Sequence, residues 1–145
     1  MQVLGLCGCT PERAVDLATA VLPALRARGL TVSVLLAGPP DFDLDRPGKD
    51  SFEHRSAGAL EVAISSTQRW ALLHEDCPSA APQLNSLIAR LDPVDLLLVL
   101  GFDDAGLKKA GLKPVEVRAG LEATDLAATI LAALAADNPT RAQQV

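Results

Sequence analysis

A chain of 145 residues with 49% hydrophobic and 21% charged side chains has the profile of a folded domain. At that length it buries about two thirds of its unfolded surface without a disulfide or metal staple. A net charge of −5 argues against nucleic acid and anionic membranes as partners, since both recruit clustered Lys and Arg. No apolar run reaches the roughly 18 residues of a membrane span, and the N-terminus lacks the basic region of a secretory signal. Cys7, Cys9 and Cys77 are the three cysteines, too few for a disulfide framework, so free thiols in the cytoplasm are expected. With three Phe, one Trp and no Tyr, the core must be built from Leu, Val, Ile and Ala.

In chain order, residues 2–7 form an apolar run that suits a buried strand, followed by a turn at Gly8, Cys9 and Thr10. Val15, Leu17, Ala18, Val21, Leu22 and Leu25 recur at helical spacing. Thr10 is the expected N-cap and Pro11 the first helical residue, and Pro23 is expected to kink or end that helix. Val32 and Val34 mark a second strand over 30–36. Residues 37–50 form the longest irregular stretch, and a loop of that length in a compact domain is usually functional. Asp50 and Glu53 match a capping box opening a short helix. Strands near 60–65 and 69–74, separated by Ser66-Thr67-Gln68, are expected to pair as a hairpin and make the sheet mixed. A helix near 81–91 leads to the most apolar strand, 95–100. A short helix near 103–110, a strand near 114–118 and an Ala-rich helix over 125–136 complete the pattern. Alternating strands and helices imply crossover connections and a mostly parallel, covered sheet. The expected organisation is one α/β domain over 1–136 and a flexible tail over 137–145.

Several residues invite chemistry and have plainer readings. Cys7-Gly8-Cys9 is a weak metal signal, because zinc needs further Cys or His ligands and Cys77, His54 and His74 show no ligand spacing. Buried or partly buried free thiols explain the cysteines. His74 is expected at an edge or on the surface, and Trp70 against the core or a subunit interface. Asp103 and Asp104 are explained by a helix start.

Three stretches stand out together: Asp43-Leu44-Asp45-Arg46-Pro47-Gly48-Lys49-Asp50-Ser51-Phe52-Glu53 with Arg55 and Ala57-Gly58-Ala59, then Gln68-Arg69-Trp70-Ala71-Leu72, and the helix end Leu22–Gly29. In order and separation they resemble the MobB family of small P-loop GTP-binding proteins, which serve molybdopterin guanine dinucleotide biosynthesis. The resemblance runs from the first strand to about residue 102. It implies a P-loop NTPase-type three-layer fold, a homodimer, GTP with Mg²⁺, and help to a MobA-type nucleotidyltransferase. It also implies that the loop carrying Asp45, Lys49, Asp50, Ser51 and Arg55 lies near the nucleotide and engages a ligand, such as a molybdopterin, or a partner.

The departures are equally specific. The family's P-loop ends in Gly-Lys-Thr, and counted back from the first helix that segment falls on Gly8–Val15, with Arg13, Ala14 and Val15 in those three places. The P-loop lysine contacts phosphates and the following hydroxyl holds Mg²⁺; Ala14 has no charge and Val15 no oxygen. Pro11 removes a donor, and Glu12 puts a carboxylate where the helix start attracts anions. The acidic residue that the family carries before Gly-Phe is Leu100 here. Gly8, Cys9, Thr10 and Arg13 are therefore expected to form a degenerate cradle, with GTP and Mg²⁺ weakened or lost. The function implied is an accessory or adaptor protein without efficient GTP hydrolysis. The alternative is a weak GTPase using Arg13 or Lys49 in place of the lysine.

Overall fold

The computed structural model describes residues 1–39, 43–75 and 83–137. Its elements are β1 (Gln2–Cys7), α1 (Pro11–Ala27), β2 (Val32–Leu36), α2 (Asp50–Ser56), β3 (Glu61–Ser65), β4 (Trp70–His74), α3 (Leu84–Ile88), β5 (Leu96–Leu100), α4 (Asp104–Lys109), β6 (Lys113–Glu116) and α5 (Ala123–Asp137). Cys77, the start of the 81–91 helix and nearly all of the expected tail lie outside the described residues. The 1–136 stretch read as one domain divides into two compact units, Met1–Gly38 with the chain from Ile88 onward, and Pro39–Leu87.

In the first unit four parallel strands stand in the order β2-β5-β1-β6. All five side chains of β5 are buried, which is why Leu-Leu-Leu-Val-Leu shows no alternation: the strand has neighbours on both sides and cover on both faces. β1 shows the two faces most clearly. Leu4 and Leu6 join Leu96, Leu98 and Leu100 in a cluster with Leu17, Val21 and Leu25 of α1 and Leu126 and Ile130 of α5. Gly5, between them, points the other way, where a Cβ would stand 2.9 Å from Leu107 Cγ of α4. Two helices on one face and α4 on the other make three layers. Pro114 is tolerated because β6 is an edge strand. Pro23 does not end α1, which runs through it to Ala27 with Pro23 on the exposed side.

In the second unit β3 and β4 pair antiparallel with Ser65 opposite Trp70, as a sheet of their own. The hairpin is confirmed; it does not make the main sheet mixed. Ser66 closes the turn, its amide donating to Arg69 O at 2.7 Å and its hydroxyl accepting from Arg69 N at 3.1 Å. The capping box at α2 is corrected by one residue. Lys49 is the N-cap, extended and without a side-chain cap, and Asp50 is already helical. An Asp inside the first turn cannot cap it, so Asp50 and Glu53 act only through the helix dipole.

Candidate functional site

The β1–α1 turn in the first unit gathers Gly8, Cys9 and Thr10. Gly8 has φ +80°, a left-handed conformation that disfavours any side chain. Thr10 caps α1, its hydroxyl accepting from Arg13 N at 3.3 Å. A cavity of about 570 Å³ opens here, lined on one side by residues from Leu6 to Pro11 with Ala14, and on the other by Gly101, Phe102, Asp103 and Asp104.

What lines the turn suits a triphosphate poorly. Ala14 is buried and carries no amine, and Val15 carries no oxygen. Arg13 is placed beside the turn, but its guanidinium donates to Leu121 O at 2.7 Å, tying α1 to the chain before α5. Hydrogen bonds from its own backbone N–H and from the Thr10 hydroxyl hold the Glu12 carboxyl below the usual carboxylate range. A side-chain carboxylate thus takes donors that an anion would use. The lining of the turn contains no lysine or arginine, and the nearby Arg13 is engaged by a carbonyl.

The thiols are half in the core. Burial pushes Cys7 up, reinforced by the charges of Asp104 and Glu116. Burial also raises Cys9, with Arg13 opposing. Both are free and neither is activated as a nucleophile.

The second unit gathers Asp45, Ser51 and Arg55 of the expected loop. Asp45 is buried; its Oδ1 accepts from the Ser51 hydroxyl and the Arg46 amide, both at 3.0 Å. Arg55 reaches Asp43 at 3.0 Å and Asp45 at 3.4 Å, and also bonds Glu75. Pairing with Arg55 holds the Asp43 carboxyl below its ordinary value, and Asp43, followed by Glu75, pushes Arg55 up. Lys49 and Asp50 are exposed and outside that network, and among the described residues Lys49 has no ion pair. The expected loop is therefore one buried brace and two outward side chains.

Trp70 is not in the core. It is 72% exposed, and Ile64 and Leu72 are each 47% exposed. His74 is half-buried, its Nδ1 2.7 Å from Glu61 Oε1 across the hairpin. Asp103 and Asp104, read from sequence only as a helix start, do open α4: Asp103 caps it, its Oδ1 accepting from Gly106 N at 2.7 Å, and Asp104 is the first helical residue. They also stand on the wall facing Gly8–Pro11, which no local signal could have announced.

A family model described as molybdopterin guanine dinucleotide synthesis protein B matches residues 3–137. The chain belongs to the MobB family. Among MobB relatives, an Escherichia coli "molybdopterin-guanine dinucleotide biosynthesis adapter protein" is 39% identical over 106 residues, 67% of this chain and 61% of the relative. A Haemophilus influenzae protein of the same name is 30% identical over 86% of this chain and 70% of its own length. The chain thus spans about three fifths of the first relative. Two solved MobB structures share the fold. One, a molybdopterin-guanine biosynthesis protein B, has a TM-score of 0.64 at 21% identity, covering 91% of this chain and 98% of that one. The other, from Bacillus subtilis, has a TM-score of 0.55 at 18% identity, covering 92% and 96%.

Proposed function

We propose that this chain is an adapter in molybdopterin guanine dinucleotide assembly, acting by protein contact and as a homodimer, without efficient GTP hydrolysis. The relatives' shared name supports the adapter role. The observation that carries the loss of hydrolysis is the engagement of Arg13 with the Leu121 carbonyl, beside a turn whose lysine and hydroxyl positions hold Ala14 and Val15. The contact surface is the braced loop: Asp43, Asp45, Ser51 and Arg55 fix its shape, and Lys49 and Asp50 face outward to a MobA-type nucleotidyltransferase. No helix among the described residues is long and apolar enough to cross a membrane, which is compatible with work in the cytoplasm.

The test is co-purification with the nucleotidyltransferase, with and without GTP. The complex is expected to form without nucleotide and to weaken about tenfold in Lys49→Ala, the loss of one charge-assisted contact. A weak GTPase is the second reading, favoured by Lys49, which has no ion pair among the described residues. Multiple turnovers of GTP that vanish in Lys49→Ala or Arg13→Ala would establish it and displace the first.

A further inference from the structure

Leu44 is the most exposed large hydrophobic side chain among the described residues, at 75%. It is held outward from both sides. Asp43 Oδ1 accepts from the Asp45 amide at 2.9 Å, closing a turn around Leu44, and from Arg55 at 3.0 Å. Asp45 is buried, its Oδ1 bonded to the Ser51 hydroxyl and its Oδ2 to Arg55. With both neighbours anchored, the backbone cannot turn Leu44 inward without breaking the Asp45 contacts. Directly after it, Arg46-Pro47-Gly48-Lys49 forms a type II turn: Gly48 has φ +88°, and the Lys49 amide donates to Arg46 O at 3.3 Å. Such a turn brings its first and last Cα within about 7 Å, so Arg46 and Lys49 stand side by side. Both are exposed. Neither makes an ion pair among the described residues, Asp50 included, while Asp43, Asp45 and Glu75 are all engaged by Arg55.

We infer that Leu44 anchors the contact surface, seated in an apolar pocket of a partner protein whose rim carries carboxylates for Arg46 and Lys49. The inference deepens the adapter reading and rests on it. A lone exposed leucine is ordinary on a protein surface; one fixed by a buried, ion-paired frame beside two unanswered cations is preorganised for contact. A fixed anchor loses little freedom on docking, and interface energy concentrates in a few side chains seated in pockets. The two cations steer the approach and set the salt dependence more than the affinity. A phosphate would use Arg46 and Lys49 but has no use for Leu44. A second copy related by a two-fold axis through this turn would set the cation pair against the same pair, and like charges oppose that contact.

The experiment is calorimetric titration of the purified nucleotidyltransferase into the full chain. The wild type is compared with Leu44→Ser, Leu44→Met and the double variant Arg46→Ala with Lys49→Ala. Leu44→Ser should weaken the complex at least tenfold, the worth of one buried aliphatic side chain. Leu44→Met, of similar volume, should keep most of the affinity. The double variant should bind more weakly and lose much of the decline with added NaCl, since the screened pairs are gone. Because Leu44 is exposed, the urea midpoint of Leu44→Ser, followed by Trp70 fluorescence, should match the wild type, which separates lost contact from lost fold. Unchanged affinity in Leu44→Ser overturns the inference and leaves the adapter role standing; absence of any complex overturns both. Two other occupants have their own signatures, and either overturns the partner pocket. A changed association state of Leu44→Ser alone in light scattering points to a second copy. Displacement of the complex by inorganic phosphate at matched ionic strength points to an anion site.

Discussion

Arg55 holds Asp43, Asp45 and Glu75 around one guanidinium, and this brace gives the 43–55 loop its shape. Asp43 titrates below its unfolded value because Arg55 stabilises the carboxylate. Its contribution is present above the ordinary carboxylate range and is lost as pH falls through the lowered folded value. Trp70, the sole tryptophan, reports on the same unit. Urea midpoints followed by its fluorescence should show Arg55→Ala less stable than the wild type at pH 7. That gap should narrow steadily from about pH 5 to pH 2, where carboxylates with ordinary values near 4 protonate. A gap independent of pH would mean that Arg55 acts by packing alone. Ser51→Ala leaves the buried Asp45 short of one donor and should lower stability by about 1–3 kcal/mol, measured the same way. The residue types of this loop were legible in sequence. Their division into brace and outward contacts was not, because Arg55 meets Glu75 20 positions away.

At the scale of elements, Gly5 and Leu107 decide how closely α4 sits on the sheet. A Cβ at Gly5 would fall inside the Leu107 side chain, which is fully buried. Gly5→Ala should therefore cost about 1–3 kcal/mol through overpacking, and Leu107→Ala about 2–5 kcal/mol through the cavity it leaves. The double variant should cost clearly less than the sum, since the new methyl occupies vacated space. Denaturant unfolding of the four proteins measures this, and strict additivity would deny the contact. Periodicity found α1, β5 and α5 because one face of each helix, and both faces of β5, are buried in one core. The capping-box pattern placed the start of α2 one residue late: Lys49 takes the extended cap conformation after the left-handed Gly48, so the helix begins at Asp50. Pro23 by itself would end or bend α1, yet α5 and the sheet hold the helix together across the missing N–H.

At the scale of the whole molecule, a two-stranded hairpin is marginal alone, and this one exposes Trp70 and Leu72 on one face, with Ile64 on the other. We expect a second copy to cover the Trp70 face. Light scattering should find a dimer, and Trp70→Ala should shift it toward the 15.1 kDa monomer. Dilution of the wild type should move tryptophan emission to the red as the ring returns to water. A monomer at all concentrations, with unchanged emission, would remove the homodimer from the proposed function.

The sequence by itself determined the alternation of strands and helices, the hairpin, and the residue types of the turn after Gly8. Each is a property of neighbouring residues, carried by spacing or by the chemistry of one position. Only the tertiary structure decided where Arg13 spends its charge, since Leu121 lies 108 positions away. It alone set Asp103 and Asp104 across from Gly8 and left Trp70 outside the core. Local periodicity records which face of an element is apolar; it does not record which distant element arrives to meet that face.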